Sequence, residues 1–303
     1  MNLKFNSRTG STQIAVRCLL VVLFVVVGQF VQAQVNESTI RSEVSIYVNG
    51  PFSKLSYGNA NIKTSINDGI GFGVNYGLYF TDYITLRSGI EYQYFKGNAT
   101  FTQMQGNYDA IDPDGERFEF RYNLLDYQEK QNVSYVQVPL LIQYESRGQK
   151  TTHFYIAGGI KLGFNVSADY QAEADNLLTS GYYAQYDALL DAPRFIGFGN
   201  FGNYKTSKED LKLRTNYIAS FETGIKINSK KKNAIYIGLF IDYGLKNLID
   251  EQMGANTIQY QPSNPSAFSS NSVITSTQSG ATNYLNELRT LSFGYKIRYG
   301  FSL

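Results

Sequence analysis

Eleven ionisable side chains lie out of phase with runs of alternating apolar residues: Arg41, Glu43, Arg87, Glu91, Lys161, Glu222, Lys226, Asp242, Lys246, Lys296 and Arg298. Charges gathered on one face and withdrawn from water must be paired and hydrogen-bonded. Seven bases against four acids would leave a surplus of about three positive charges. Two readings follow from that surplus. One is an interior salt-bridge network that fixes strand register, centred on Arg87, Glu91, Lys161, Glu222, Lys226, Asp242, Lys296 and Arg298. The other is a site for an anion or a fatty-acid head group.

Catalysis has little to draw on. Surface hydrolysis or acyl transfer needs a base poised near neutral pH, and the chain has one histidine, His153, placed beside a short turn. The single cysteine, Cys18, stands in the leader described below. Zinc sites of the usual composition are therefore not expected, nor is any other cofactor. Asp112-Pro113-Asp114-Gly115-Glu116 has a superficial likeness to a calcium loop but lacks the further acceptors and the distal glutamate. Pro followed by Asp-Gly is a turn signal. With Phe118, Phe120 and Tyr122 alternating after it, the segment predicts a hairpin extending beyond the membrane.

The elements that must position these groups are strands. From residue 70 to 80, Ile70, Phe72, Val74, Tyr76, Leu78 and Phe80 alternate with Gly71, Gly73, Asn75, Gly77 and Tyr79, which gives one greasy face and one small or polar face. The same period-two pattern recurs at about 41–48, 83–95, 133–144, 153–166, 216–227, 234–245 and 290–303, eight strands in all. A soluble sheet would need something to cover so many apolar faces, whereas lipid covers them in a transmembrane barrel. Connections at 81–82, 145–152 and 228–233 are short, and those at 49–68, 96–132, 167–215 and 246–289 are long. This strict alternation is that of outer-membrane barrels. The expected fold is all-β: an eight-stranded antiparallel up-and-down transmembrane β-barrel with long extracellular loops and both termini in the periplasm.

Lys4, Arg8 and Arg17 precede an apolar run at 18–27 that is too short to span a bilayer. Residues 1–33 are expected to be a secretory signal peptide and 34–303 the barrel domain. Its removal takes three of 27 bases and none of 25 acids, leaving a net charge near −1. No basic excess remains to suggest a nucleic-acid partner. The mature chain also lacks any thiol. With 25 Tyr, 20 Phe and 27 Gly and no further long apolar run, the composition is that of a membrane barrel, not a helical membrane protein.

The segment Val138-Pro139-Leu140-Leu141-Ile142-Gln143-Tyr144, the glycine-rich Tyr155-Ile156-Ala157-Gly158-Gly159-Ile160-Lys161-Leu162-Gly163 and the closing Tyr295-Lys296-Ile297-Arg298-Tyr299-Gly300-Phe301 resemble the PorT-like outer-membrane β-barrel family. The resemblance implies an eight-stranded outer-membrane protein of a Gram-negative bacterium, some of whose relatives take part in protein secretion. Ser292, Gly294, Ile297 and Tyr299 also look like the pattern by which the barrel-assembly machinery recognises its clients. Pro139, unable to donate to a ladder, predicts a local bulge on the inward side.

Tyr182, Tyr183, Tyr186, Leu189, Leu190, Phe195, Phe198 and Phe201 make the third long loop too aromatic for a solvated linker. It is expected either to fold over the barrel mouth or to present a partner surface. The fourth, rich in Ser, Asn, Thr and Gln at 259–282, reads as flexible. The expected role is a noncatalytic outer-membrane scaffold or interaction component, contacting lipid and an envelope or secretion partner. The alternative is a narrow channel or binder for a small hydrophobic or anionic ligand.

Overall fold

The computed structural model describes residues 41–58, 65–147, 151–229, 233–249, 255–277 and 283–303. The leader expected at 1–33 lies outside them. Eight strands form the barrel: β1 (Ser42–Tyr57), β2 (Ile70–Tyr79), β3 (Ile84–Ile111), β4 (Arg117–Glu145), β5 (Thr152–Ala174), β6 (Asn216–Asn228), β7 (Asn233–Gly244) and β8 (Leu288–Ser302). Each pairs antiparallel with its neighbours in sequence, and β8 returns to pair with β1 from Glu43↔Ser302 to Tyr57↔Leu288, so the sheet closes without an edge. Exposed apolar residues stud every strand, among them Ile46, Phe72, Ile84, Ile142, Ile160, Phe221, Ile237 and Ile297. This is the belt expected from the alternation, and only hydrocarbon makes it inexpensive.

The long connections are more ordered than their composition suggested. β3 and β4 stay paired from Ile84↔Tyr144 to Ile111↔Arg117, well past the belt. The turn closing them is the one expected at Asp112, whose Oδ1 accepts the backbone N–H of Asp114 at 3.0 Å and of Glu116 at 2.9 Å. β5 continues to Ala174, and a strand at Asn176–Tyr183 adds to β4 from Asn176↔Leu125 to Tyr182↔Glu119. The fourth long connection is folded where it is described. Ile258, Tyr260, Val273, Ile274, Tyr284 and Leu285 are buried, which corrects the expectation of flexibility there. Its few apolar side chains are spaced to enter one core, and Thr257, Ser272, Ser276 and Thr277 are buried with them.

The interior changes character along its length. β1 buries Glu43, Tyr47, Asn49 and Ser53 and then Leu55 and Tyr57, while β3 buries Arg87, Glu91 and Gln93 and then Phe95, Ala99 and Met104. Within the belt, lipid covers the outside and the inside can be polar. Beyond it the outside meets water, so burial of apolar surface must occur inside. β1 makes this switch without a break in parity, whereas β5 and β4 make it through a local irregularity. β5 skips one residue, Val166, opposite Ser134 and Tyr135, which moves inward parity from Tyr155, Ala157 and Lys161 to Ala168, Tyr170 and Ala172. Further out, β4 turns its even residues inward beyond Asp126, whose φ is +48°, so Phe118, Phe120, Tyr122 and Leu124 are buried.

Pro139 does not form the expected bulge. It is buried and in register with Lys161, and the β3–β4 register is the same on both sides of it. Its missing N–H coincides with a gap in that ladder, where Ser88 Oγ donates to the Pro139 carbonyl at 2.9 Å. The extra residue sits at Val166 instead, where the change of face requires one.

Glycines face the polar interior because large side chains occupy it. A Cβ at Gly73 would stand 2.6 Å from both the Tyr47 hydroxyl and the Ile90 carbonyl oxygen. Gly73→Leu is therefore expected to cost about 1–3 kcal/mol or to block closure altogether. Loss of the heat-dependent shift in electrophoretic mobility of the folded barrel would report it.

Candidate functional site

Two groups of ionisable side chains fill the polar interior. In the first, Glu222 of β6 receives Arg87 of β3 at 2.6 Å and also Lys296 of β8. Beside it, Lys161 of β5 bridges Glu91 of β3 and Asp242 of β7 at 2.7 Å each. Tyr47 and Asn49 both donate to Glu91, at 2.8 and 2.9 Å. The second group lies towards the short turns. Lys226 of β6 pairs with Glu145 at 2.8 Å and donates to the Tyr79 hydroxyl of β2, directly across the barrel, at 3.0 Å. Tyr236 donates to Glu43 at 2.7 Å, and Arg298 donates to Gln143 at 2.7 Å with its guanidinium 3.6 Å above the Tyr236 ring.

All eight residues of the expected network core are buried in these groups: Arg87, Glu91, Lys161, Glu222, Lys226, Asp242, Lys296 and Arg298. The expected charge surplus is not there. Arg41 is exposed at the barrel end over the Tyr79 ring, and Lys246 is exposed just past the end of β7, over Tyr217. Glu145, which the alternation left in a turn, is the buried last residue of β4. Among the described residues the lumen thus holds five cations (Arg87, Lys161, Lys226, Lys296, Arg298) and five carboxylates (Glu43, Glu91, Glu145, Glu222, Asp242). Tyr47, Tyr155 and Tyr236 also contribute to it, and their inward position was readable from their place between outward residues.

Above the polar lumen an aromatic core closes the mouth. Phe118 stacks on Tyr183 at 5.2 Å and meets Phe198 and Tyr260 edge-on at 5.4 and 5.1 Å. Glu129 lies within this roof, fully buried, on the part of β4 beyond the belt. Its carboxylate accepts from Ser272 Oγ at 2.5 Å, Val273 N at 2.8 Å, Tyr127 at 2.7 Å and Gln131 at 2.9 Å, and so ties the fourth long connection to the strand. Burial pushes this carboxyl above its ordinary value, the four donors offsetting part of the shift. Nothing in the sequence pattern marked Glu129, because its segment read as a loop.

Of the two expectations for the third long connection, folding over the mouth is seen in part. Tyr183 and Phe198 enter the roof, while Tyr186, Leu189 and Phe195 remain exposed at the end of the barrel that carries the long connections. His153 sits at the start of β5 with Nδ1 3.0 Å from the Ser146 carbonyl oxygen, at the opposite end of the barrel.

The sequence matches a family model described as outer membrane protein beta-barrel domain over residues 32–250. No functionally curated protein matches it. Among solved structures it is similar to Neisserial surface protein A, at 10% identity over 85% of this chain and 95% of that one, with a TM-score of 0.31. It is also similar to Ail, the attachment invasion locus protein of Yersinia pestis, at 9% identity over 88% of this chain and 100% of that one, with a TM-score of 0.25.

Proposed function

Since the chain belongs to the outer membrane protein β-barrel domain family and is therefore an outer-membrane barrel, we propose that it is a sealed, noncatalytic scaffold whose outer projection engages another envelope component. The balanced lumen carries this reading. Five cations and five carboxylates cross-linked between strands occupy the space through which a solute would pass, and the aromatic roof covers its outer end. An anion site built on excess positive charge has lost its electrostatic basis, which weakens the channel or binder alternative.

The PorT-like assignment, and with it a role in secretion, rests on the proline-bearing β4 segment, the glycine-rich β5 and the closing β8 pattern. Export by cleavage of residues 1–33, assembly through the β8 pattern, and periplasmic termini complete the proposal. The last is supported by the adjacency of Glu43 and Ser302 at the barrel end that carries the short turns.

Planar-bilayer recording tests the seal. The purified protein is expected to give no steady single-channel steps, and conductance that changes with Arg298→Ala would overturn the closed lumen. Recovery of a stable partner after gentle detergent extraction, identified by mass spectrometry, is the expected outcome for a scaffold.

A further inference from the structure

The tip of the long connections exposes large apolar side chains where no lipid reaches them. Phe195 is 74% exposed and Tyr186 62%, and Leu190 is exposed with them on one groove. Scattered apolar exposure is ordinary, but a contiguous cluster marks an interaction surface. Tyr186, Leu190 and Phe195 line an open groove of about 730 Å³ whose opposite walls are the turn at 112–116 and Pro262 and Pro265 of the fourth long connection.

Hydrogen bonds tie the groove's walls together. Tyr183 donates to Asp112 at 3.0 Å, Tyr186 to Glu116 at 2.7 Å, and Tyr260 to the Ile196 carbonyl at 3.1 Å. Three separate segments are thereby held in one arrangement before anything binds, which lowers the ordering cost of association.

Charge identifies the occupant. Asp112, Asp114 and Glu116 line the groove with no basic side chain among its walls, a net charge of −3. Arg194 is directed away, its guanidinium over the Phe201 ring at 5.8 Å. An anionic surface would be repelled. A glycan would draw on carboxylates open to its hydroxyls, yet Asp112 and Glu116 already receive tyrosine hydroxyls, whereas their charge still attracts an Arg or Lys. We propose that this groove docks an extended protein segment that alternates Arg or Lys with apolar side chains. The inference rests on the scaffold reading and gives its partner a chemistry.

The test uses the full-length protein in phosphatidylcholine nanodiscs, with empty nanodiscs as reference. A fluorescein-labelled peptide of about twelve residues alternating Arg and Leu with Ser spacers is titrated beside its Glu-for-Arg counterpart, with maltoheptaose as competitor. The Arg peptide is expected to bind saturably, to weaken with salt, and to lose about tenfold or more in affinity on Phe195→Asp and on Asp114→Lys. Equal binding of the Glu peptide, displacement by maltoheptaose, indifference to Phe195→Asp, or no binding above empty nanodiscs would each overturn the proposal. Both variants must keep the heat-dependent mobility shift of the folded barrel. Bilayer recording on the same preparation separates the two ideas: a silent barrel that ignores the peptide loses only the docking site, whereas a conducting one loses the scaffold reading.

Discussion

Glu222→Ala is expected to prevent assembly of a stable barrel, because it strips two buried cations of their shared counter-charge at once. Arg87 and Lys296 both reach this carboxylate, and all three side chains are nearly inaccessible to water. Leaving one buried charge uncompensated costs about 3–5 kcal/mol, and here two are left. Expected readouts are loss of the folded band on unheated electrophoresis and a much lower melting temperature in detergent. A compensated variant makes the cause explicit. Arg87→Leu, Glu222→Leu and Lys296→Met together remove the triad while keeping apolar volume, and such replacements are often neutral or stabilising. The triple variant is therefore expected to fold where the single one does not. If Glu222→Ala alone melts like the parent protein, the triad is solvated in use and the lumen is not sealed.

That contrast bears on how the site could be read from sequence. Alternation identified which residues face inward, since a strand's two faces follow from parity alone, and eight of the ten lumen charges are those singled out as the network core. Partners were illegible for a geometric reason. Arg87 and Glu222 are 135 residues apart on strands three places apart around the ring, and which inward residues meet across a closed barrel depends on stagger as well as parity. Glu145 was missed because the strand's apolar signal ends one residue before it.

The part beyond the apolar belt was read less well. There the outward face is solvated, and parity changes at Val166 and Asp126, so the even positions that faced lipid in one stretch face a core in the next. A single period-two template carried through these points assigns the wrong face. The fourth connection misled by composition, since its few buried apolar residues, Ile258, Tyr260, Val273 and Ile274, are diluted by Ser, Asn and Thr.

Glu129 determines whether that connection stays down. Glu129→Ala would leave the Ser272 hydroxyl, the Val273 N–H, the Tyr127 hydroxyl and one Gln131 N–H short of an acceptor. A buried donor left unsatisfied costs about 1–3 kcal/mol, so with several at stake the segment is expected to lift from the mouth while the membrane barrel persists. Protease cleavage between 255 and 277 and faster amide exchange at Val273 would report this, with the mobility shift of the folded barrel retained. The pH dependence has a definite sign. Burial raises this carboxyl above its ordinary value of 4.5 in the closed state, whereas an opened segment returns it to water. Below that ordinary value the group is protonated in both states and closure bears no ionisation penalty. As pH rises beyond it, the open state ionises first, so closure weakens towards neutral pH. Glu129→Gln mimics the protonated form, with the Tyr127 or Ser272 hydroxyl able to turn and accept from the new amide. It is expected to hold protection at the acidic level and to flatten the pH profile. Protection in the parent protein that increased with pH would mean that the four donors outweigh burial, and that the ionised carboxylate is the form that closes the roof.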